Sequence, residues 1–547
     1  MSIIRLNKPY SKKLTQLKFH QMRILLTCIS LSLLFMSCGN KTNSVKNEGT
    51  TKKPNIIFLS IDDLRADLGS YGNSEIKTPN MDALAGTSMV MLNTHCQAAV
   101  CAPSRASTML GYRPDSTKVW HLGDEFRKIN PNAVTMPQYF NKAGYYTVNI
   151  GKIFHNYMPD SISWDEPDLK PFPYNTKEYA KRDAETYYYT EAALKDQKTK
   201  RDLLLEKRKG QKVYGDGWNR GPAIEGADVP DSLYFDAMQT QLALETIDRI
   251  KDKKEPFFMG LGLYRPHLPF VVPKKYWDLY PVGSVSPAAN PKLPKNAPVM
   301  SANSNYELRA YTNPHKIGRP EDTPLPEAYA DSLKRGYYAS VSYIDACVGK
   351  LIAGLKERGL YENTVIVLWG DHGWKLGDHN GWGKMTNFYI DTHVPLIIKE
   401  AYQKEGKRIE ALSELVDIFP TLCDLTGVDK ADYLQGTSLT PVFKNPELEW
   451  KDAVFTQFRR RARVSKDGNE YMGYSMQTEQ YHFIEWYQWD NDKKEKGDYA
   501  ATELYDHYVD SDETVNIAEN PDKNEIVKQL SKQLSAGWRG ALPKNKS

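Results

Sequence analysis

Asn55-Ile56-Ile57-Phe58-Leu59-Ser60-Ile61 is an almost continuous apolar run, and two acidic residues, Asp62-Asp63, follow it at once. Such a run is typical of a strand that is buried on both faces of a sheet. Runs of the same kind lie further along the chain, at 146–150, 257–263, 364–368 and 394–398. The first three of these run into Lys152, Arg265 and Asp371 within three residues, whereas the last is preceded by its polar group, Asp391-Thr392-His393.

Helical patterns separate these runs. Apolar residues repeat at helix spacing between Leu333 and Leu355, and again over 415–425. The alternation of strands and helices predicts an α/β fold, a doubly wound sheet with helices on both faces. Ligands bind beyond the carboxyl ends of the strands in such sheets, so the polar groups that follow the strands are predicted to gather at one edge.

The character of the chain changes at about residue 440. Residues 473–478 and 481–486 have the pattern of half-buried strands, and 525–538 has a helical pattern. We therefore predict a main domain over 54–440 and a smaller α+β subdomain over 441–547. The run Arg459-Arg460-Arg461-Ala462-Arg463 lies near the start of that subdomain. A solvated basic face is its default interpretation, and contact with an anionic polymer is the alternative.

Two long stretches interrupt the alternation. Residues about 160–235 are charged and rich in tyrosine, and residues about 272–327 are rich in proline and asparagine. Long irregular insertions in compact domains tend to be functional. Both stretches are therefore predicted to be loops or lids over the ligand-binding edge.

The net charge of +4 comes from the first 38 residues. They contain six basic residues and no acidic one, and the rest of the chain has 66 basic against 68 acidic residues. The body of the protein is therefore near neutral, which gives no general reason to expect binding to nucleic acid.

The same leader has the form of an export signal. Its apolar run over 24–36 follows Met22, a possible true start, and is too short to cross a bilayer comfortably. Cys38 resembles the modified residue of a bacterial lipoprotein. We predict a signal peptide over 1–38, a flexible linker over 39–53, and a lipid on Cys38 that tethers an exported protein to a membrane, in the periplasm or at the cell surface. The alternative is a cleaved signal with an incidental cysteine.

Four cysteines remain beyond the leader, too few for a disulfide scaffold in an exported chain of this size. Cys347 and Cys423 lie in helix-like apolar patterns and are predicted to be buried. The pentad Cys101-Ala102-Pro103-Ser104-Arg105 is different, because it puts a thiol beside a proline, a hydroxyl and a guanidinium. A structural cysteine in a proline-bounded turn and a functional thiol are equally compatible with the pentad alone.

Two pairs of potential metal ligands follow two of the predicted strands, Asp62-Asp63 and Asp371-His372. Adjacent carboxylates repel each other unless a cation neutralises them. Sites dominated by carboxylate oxygen favour a hard divalent ion such as calcium or magnesium. We therefore predict one metal site built from both pairs. The alternative for the first pair is that Asp63-Leu64-Arg65 merely caps a helix.

Taken together, these motifs resemble the type I, formylglycine-dependent sulfatases, and in particular the iduronate-2-sulfatase-like carbohydrate sulfatases. The resemblance runs from about residue 54 to 440 and continues weakly through Glu503-Leu504-Tyr505-Asp506. The motifs occur in the family's order: Asp62-Asp63-Leu64-Arg65, Cys101 to Arg105, Gly111-Tyr112-Arg113-Pro114-Asp115, Gly151-Lys152-Ile153-Phe154-His155, Arg265-Pro266-His267-Leu268-Pro269-Phe270, Asp371-His372-Gly373-Trp374 and His393-Val394-Pro395-Leu396. The resemblance implies an alkaline-phosphatase/sulfatase-like mixed sheet and an enzyme that hydrolyses sulfate esters.

The resemblance also implies a nucleophile and a metal. Cys101 would be oxidised to formylglycine (3-oxoalanine) by a formylglycine-generating or anaerobic sulfatase-maturating enzyme, and would supply the nucleophile. The metal would be Ca²⁺, with Mg²⁺ as the weaker candidate. Its implied ligands are Asp62, Asp63, Cys101 in its modified form, Asp371 and His372.

Further roles concern the charge and the protons of the reaction. Arg105 and Lys152 would stabilise the charged formylglycine, and Lys384 would bind the sulfate. A sugar alcohol is a poor leaving group, so a proton donor is needed, and His267 is the expected general acid. His155 would accept the proton when sulfate is expelled. The candidate substrate contacts are Arg265, Trp374 and His393.

One motif departs from the family, since Met109-Leu110-Gly111 stands where the family usually has Leu-Thr-Gly. That segment guides the maturing enzyme, so the efficiency of the conversion is what the departure affects.

The expected substrate is a sulfated oligo- or polysaccharide attacked in an exo manner. It carries either a 2-O-sulfate on a uronic acid or the ester of an algal polysaccharide such as ulvan. One alternative is a phosphatase or phosphodiesterase of the same superfold, which would usually have Ser or Thr with two zinc ions. A glycan-binding lipoprotein with an inactive site is another.

Overall fold

The fold is seen in a computed structural model that describes residues 52–155, 158–176, 188–207 and 220–543. The predicted signal peptide with Cys38, and the linker up to residue 51, lie outside the described residues. None of the helices in the described part combines the length and the apolar character that a membrane span requires.

The strands, numbered in chain order over the described residues, are β1 Asn55–Ile61, β2 Met89–His95, β3 Tyr146–Gly151, β4 Glu166–Leu169, β5 Ile224–Ala227, β6 Phe257–Leu263, β7 Phe270–Pro273, β8 Thr364–Gly370, β9 Lys375–Leu376, β10 Trp382–Gly383, β11 His393–Lys399, β12 Lys407–Ile409, β13 Ser413–Glu414, β14 Val454–Arg460, β15 Tyr471–Gln477, β16 Tyr481–Asp490 and β17 Glu495–Asp506.

The α-helices of the same residues are α1 Pro79–Ala85, α2 Cys101–Leu110, α3 Pro114–Thr117, α4 Phe126–Ile129, α5 Met136–Lys142, α6 Glu191–Lys207, α7 Phe235–Ile250, α8 Lys274–Trp277, α9 Tyr306–Arg309, α10 Glu327–Glu357, α11 Tyr389–Thr392, α12 Ile418–Thr426, α13 Thr440–Lys444 and α14 Asn524–Ala536.

The main sheet is mixed and has the strand order β12-β2-β11-β8-β1-β6-β3-β4, with β13 paired to β2. β1 is parallel to both of its neighbours, and β3 extends the parallel part. β11 runs antiparallel to β8 and β2. Its start therefore lies at the edge where the parallel strands end, which explains why the polar group of this strand precedes it.

Both faces of the sheet are buried. Along β1, Ile57 and Leu59 belong to the core on one face, whereas Ile56 and Phe58 belong to the core on the other. Helices α7 and α10 contribute to the first core, and α2, α5 and α12 contribute to the second. The predicted doubly wound α/β fold is confirmed, and so are the five predicted strands.

The C-terminal residues form a second sheet, antiparallel in the order β14-β15-β16-β17. Leu530 of α14 packs with Met476 and Phe483 on one face of it. The predicted α+β character is thus confirmed. The described residues from 52 onward form one compact unit, so the domain boundary at 440 stays a prediction. Cys347 and Cys423 are buried, as predicted, and the four cysteines of the described residues are free thiols.

Gly262, at the end of β6, allows β3 to approach closely. A Cβ atom at this position would lie 2.2 Å from the carbonyl carbon and oxygen of Lys152. We expect Gly262→Ala to push the end of β3 aside and to lower the free energy of unfolding by about 1–3 kcal/mol, the usual cost of overpacking. Chemical denaturation followed by circular dichroism measures this loss.

Gly86 provides the matched control. Its φ of −59° is ordinary for any residue, and the nearest atom to an added Cβ is 3.5 Å away. Gly86→Ala is expected to change the free energy of unfolding by less than about 0.5 kcal/mol. Equal denaturation midpoints for the two variants would contradict the close approach.

Candidate active site

Arg105 joins the ends of three strands. Its Nε donates to Asp371 Oδ2 at 2.8 Å and its Nη2 donates to Asp62 Oδ1 at 3.1 Å. Its Nη1 donates to Ser60 Oγ and to the carbonyl of Ile153, both at 3.1 Å. The guanidinium is fully buried. The ends of β1, β3 and β8 are therefore held around one charge, at the edge that the sequence predicts for the site.

Cys101 is the first residue of α2 and faces the same edge. Its Sγ lies 3.1 Å from His372 Nε2 and 3.7 Å from Lys152 Nζ, and the residue is only 2% exposed. Burial and the charge of Asp62 raise the pKa of the Cys101 thiol well above its usual value. Because the thiolate is the nucleophilic form of cysteine, the unmodified side chain is a weak nucleophile here.

The predicted metal ligands converge on Cys101. One donor atom from each of Asp63, Cys101 and His372 lies within 4.8 Å of the others, and the same is true of Asp62, Cys101 and Asp371. Burial raises the pKa of Asp63, and the charge of Asp62 adds to this rise. A divalent cation would relieve that crowding, and a set of carboxylates with one imidazole fits calcium or magnesium.

Two local details fix the orientation of these ligands. Asp63 has a φ of 59°, in the left-handed region, and the Tyr337 hydroxyl donates to its carbonyl at 2.8 Å. Non-glycine residues in this region cost energy and cluster at functional sites. His372 Nδ1 lies 3.0 Å from the carbonyl of Gly373. An Nδ1–H donor to this carbonyl leaves Nε2 as the nitrogen that faces the carboxylates, a usual arrangement for a metal-bound histidine.

Basic side chains neutralise the same carboxylates. Lys152 Nζ donates to Asp62 Oδ2, and Lys384 Nζ donates to both carboxylate oxygens of Asp63 at 2.8 Å. Burial alone would raise the pKa of Asp62, but Lys152 and Arg105 outweigh it and hold the pKa well below its usual range. The site thus combines acidic ligands for a cation with lysines that can face an anion.

His267 also lies at this edge, with both ring nitrogens near oxygen atoms. Nδ1 is 2.7 Å from the carbonyl of Leu268, and Nε2 is 3.0 Å from Glu307 Oε1 and 3.9 Å from Asp63 Oδ2. An imidazole whose two nitrogens face acceptors is stabilised in its protonated form. This geometry suits a proton donor.

Glu307, on α9, is the site residue that the sequence reasoning missed. Its carboxylate contacts His267 and lies 3.3 Å from Lys384 Nζ. Burial would raise the pKa of Glu307, but Lys384 and His267 lower it far below the usual value. It belongs to the stretch 272–327, which was predicted to lie over the site. No motif marks it, so only the three-dimensional contact identifies it.

His155 follows β3 and lies near Lys152. Burial and the charge of Lys152 hold the pKa of His155 well below its usual value. The imidazole is therefore neutral near pH 7 and able to accept a proton. Its Nδ1 is buried and has no hydrogen-bond partner among the described residues.

The three candidate substrate contacts occupy different positions. Trp374 is buried against Lys384, whose Nζ lies 4.9 Å from the centre of its ring. Arg265 is buried as well, and its Nη1 donates to the carbonyl of His267 at 2.7 Å. His393 is the first residue of β11, and its ring packs against the rings of Tyr389 and His95. Its Nε2 lies 2.8 Å from the Leu92 carbonyl. Their roles in substrate binding remain predictions.

Family models identify the class of protein that this fold and site define. The sulfatase family model matches residues 54–428, and a model described as the C-terminal part of N-sulphoglucosamine sulphohydrolase matches residues 377–539. The chain belongs to the sulfatase family and is a sulfuric ester hydrolase.

Individual relatives agree with this assignment. The chain is 31% identical to mouse iduronate 2-sulfatase, over 88% of this chain and 94% of that protein. It is 30% identical to a sulfatase of Formosa agariphila, over 93% and 92% of the two chains. Among solved structures, one described as a complex with the substrate D-glucosamine-2-N,6-O-disulfate has a TM-score of 0.65 at 22% identity and covers 91% of this chain and 100% of that one.

The fold is shared with a different hydrolase as well. The phosphonate monoester hydrolase of Agrobacterium radiobacter has a TM-score of 0.66 at 20% identity, over 89% of this chain and 95% of that one. At this level of identity the likeness concerns the fold alone.

The geometry around Asp63 leads to a prediction about metal binding. We expect CaCl₂ to raise the midpoint of thermal unfolding relative to EDTA, because a ligand that binds only the folded state stabilises it, by about 2.7 kcal/mol at a hundredfold excess over its Kd. Asp63→Asn should lose most of this gain, since it removes a charged ligand. Differential scanning calorimetry measures both proteins.

Asp378 is the matched control, a half-buried acid that pairs with Arg65 at 3.0 Å outside the ligand set. Asp378→Asn is expected to lower the midpoint in both buffers but to keep the calcium-dependent gain. An undiminished gain in Asp63→Asn would show that the ion binds elsewhere.

Proposed function

We propose that this sulfatase hydrolyses sulfate esters of a carbohydrate in an exo manner, through a formylglycine formed from Cys101. The observation that carries the proposal is the position of Cys101. It is the first residue of α2 and lies among Asp62, Asp63, Lys152 and His372. A nucleophile formed at this position would lie close both to the residues that could bind a cation and to the lysine side chains that could face an anionic group.

The unmodified thiol supports the modification indirectly. Its pKa is raised by burial and by Asp62, so a mechanism that uses the thiolate would work against its surroundings. Formylglycine, when formed, supplies a hydroxyl of its hydrate as the nucleophile, and bound calcium would supply positive charge beside it. The ligands for that ion would be the carboxylates of Asp62, Asp63 and Asp371 together with His372 Nε2.

The remaining residues would act on the charge and on the protons. Lys384 would bind the sulfate, and Lys152 with Arg105 would stabilise the charged formylglycine, because preorganised positive charge stabilises the negative charge that develops in the transition state. His267 would donate a proton to the departing sugar oxygen, with Glu307 holding the ring. His155, neutral because of burial and Lys152, would accept a proton when sulfate is released.

The substrate class is inferred from the relatives. Mouse iduronate 2-sulfatase suggests a 2-O-sulfate on a uronic acid. An ulvan-active sulfatase of Formosa agariphila, 26% identical over 81% of this chain, suggests an algal polysaccharide. We propose a sulfated oligo- or polysaccharide, with the uronic acid 2-O-sulfate as the first candidate.

We further propose that the protein is exported and held to a membrane by a lipid on Cys38, in the periplasm or at the cell surface. The support is the leader, in which a basic start and a short apolar run precede Ser37-Cys38. Conversion of Cys101 requires a maturating enzyme that accepts Met109-Leu110-Gly111 in place of the usual tail.

Cys101 gives the direct test of the mechanism. Peptide mass spectrometry on protein from its native host should show residue 101 as formylglycine, and Cys101→Ala should lose sulfate release from sulfated oligosaccharides by at least about 10³-fold. Ion chromatography of free sulfate measures the activity. Cys347→Ala, a buried free thiol in α10, is the matched control and should keep it.

The same assay separates the proposal from the phosphatase alternative. Hydrolysis of phosphate or phosphonate esters with no release of sulfate from sulfate esters would overturn the sulfatase proposal. A Cys101→Ala variant that still releases sulfate would place the nucleophile elsewhere.

His267 gives a test that depends on the leaving group. We expect His267→Gln to reduce kcat for a sugar sulfate by about 10²–10⁴-fold, the usual contribution of a general acid. Turnover of 4-nitrophenyl sulfate should fall much less, because nitrophenolate leaves without a proton. Steady-state kinetics on both substrates measure the ratio.

Glu307→Gln separates positioning from chemistry. It keeps the shape of Glu307 but removes the charge that faces His267, so it should show the same leaving-group dependence with a smaller loss. If His267→Gln and Glu307→Gln each reduced kcat equally for the sugar sulfate and for 4-nitrophenyl sulfate, the two residues would act in binding or folding and not in proton donation.

A further inference from the structure

The run Arg459 to Arg463 is not a uniform solvated face. Arg459 is buried and pairs with Glu470 at 2.6 Å. Arg460 is buried and donates to the backbone carbonyls of Met300 at 2.9 Å and Met385 at 2.9 Å. The default interpretation from the sequence is therefore wrong for the first two arginines, which are committed to the protein itself.

Arg461 and Arg463 have no carboxylate within 4.0 Å among the described residues. Arg461 Nη1 instead lies 2.7 Å from His121 Nε2. Burial and the charge of Arg461 lower the pKa of His121 from 6.5 to about 4. The imidazole is thus neutral near pH 7, and whichever ring nitrogen lacks the proton can accept from Arg461, whose Nη1 lies 3.3 Å from Nδ1 and 2.7 Å from Nε2. This contact holds the guanidinium in place without neutralising it.

The nearby carboxylates are already engaged by other groups. Glu470 pairs with Arg459, and Asp124 Oδ2 accepts hydrogen bonds from the backbone N–H groups of Trp120 and His121 at 2.9 and 2.8 Å. Burial lowers the pKa of Arg461, and the charges of Arg463 and Arg459 lower it further. The two guanidinium groups therefore form a concentration of positive charge with no direct ion pair among the described residues.

This charge lies beside the candidate active site. Arg461 and Arg463 line a cleft together with His121, Tyr306 and Met385. Met385 follows Lys384 directly, and its N–H donates to the carbonyl of Ala99 at 3.1 Å. Tyr306 precedes Glu307, and its hydroxyl lies 3.3 Å from Met385 Sδ. One wall of the cleft is therefore the segment that carries the sulfate-facing lysine.

The size of the cleft limits what it can hold. Its interior of about 20 Å³ has room for about one water molecule. A sugar ring does not fit inside, but a single charged group can bind at the mouth, where Arg463 is exposed. Guanidinium groups match the oxygen geometry of carboxylates and sulfates.

We propose that Arg461 and Arg463 form an anion subsite that binds a second acidic group of the glycan, a carboxylate or another sulfate, while the reacting ester lies at Lys384. His121 is the positioning residue that holds Arg461. The inference rests on the proposed carbohydrate sulfatase function. It predicts that the substrate of this protein is a sugar with a further negative charge close to the sulfate ester.

The kinetic test compares three sulfated substrates that differ in one group: a 2-O-sulfated hexuronide, the matched 2-O-sulfated hexoside whose one charge is the reacting sulfate, and that hexoside with a second sulfate. Arg461→Gln/Arg463→Gln should lower kcat/KM for the two doubly charged substrates by about 10–100-fold and for the singly charged hexoside by less than about 3-fold. A loss on the hexuronide alone identifies a carboxylate site, and a loss on the disulfated sugar alone identifies a sulfate site.

The matched control removes the same net charge elsewhere. Lys496→Gln/Arg539→Gln changes two exposed cations that do not line the cleft. This variant should keep the preference for the two substrates that carry a second negative charge. Thermal unfolding of both double variants shows that they fold. An equal loss on all three substrates, or no loss on any, would overturn the subsite.

A binding measurement separates the subsite from the catalytic proposal. Isothermal titration calorimetry compares Cys101→Ala protein with the same protein carrying Arg461→Gln/Arg463→Gln as well. Whichever of the 2-O-sulfated hexuronide and the disulfated hexoside the kinetic test favours should bind at least tenfold more weakly to the second protein. The singly charged 2-O-sulfated hexoside should bind equally well to both proteins. Failure of the intact enzyme to release sulfate, with this binding difference present, would reject the proposed function and keep the subsite. Absence of the difference would reject the subsite.

Discussion

The structure depends most on the buried guanidinium of Arg105. It is fully enclosed, and it bonds to Asp62 at the end of β1 and to Asp371 at the end of β8, as well as to the carbonyl of Ile153 after β3. Burying a charge is costly unless partners satisfy it, and removing one partner of such a set leaves another charge unpaired. The three strand ends therefore cannot separate without exposing unpaired charges in a region that excludes water.

Charge balance explains why so many ionisable groups can share one edge. The carboxylates would repel one another, but each faces a cation: Asp62 faces Lys152, and Asp63 faces Lys384. Glu307 extends the pattern outward, between Lys384 and His267. Acidic and basic groups therefore alternate across the site, and its acidic groups include sets that could hold a metal ion.

The sequence predicts those parts of the site that adjoin regular elements. Buried strands have a recognisable pattern, and Asp62, Lys152 and Asp371 follow strands directly, so their convergence could be expected. Glu307 could not be found in this way, because its four-residue helix lies in an irregular stretch and meets His267 only through long-range packing. The burial of Arg460 could not be predicted for the same reason, since the carbonyls that accept its hydrogen bonds come from segments distant in the sequence.

The burial of Cys101 has a consequence for the order of events in the life of the chain. Cys101 is 2% exposed and its sulfur lies against His372, so the thiol is closed to another protein once folding is complete. An enzyme that oxidises it must therefore reach the pentad while the chain is still extended, during or shortly after synthesis. Under the proposed conversion of Cys101, folding and maturation would compete in time, and a chain that folded first would keep its cysteine.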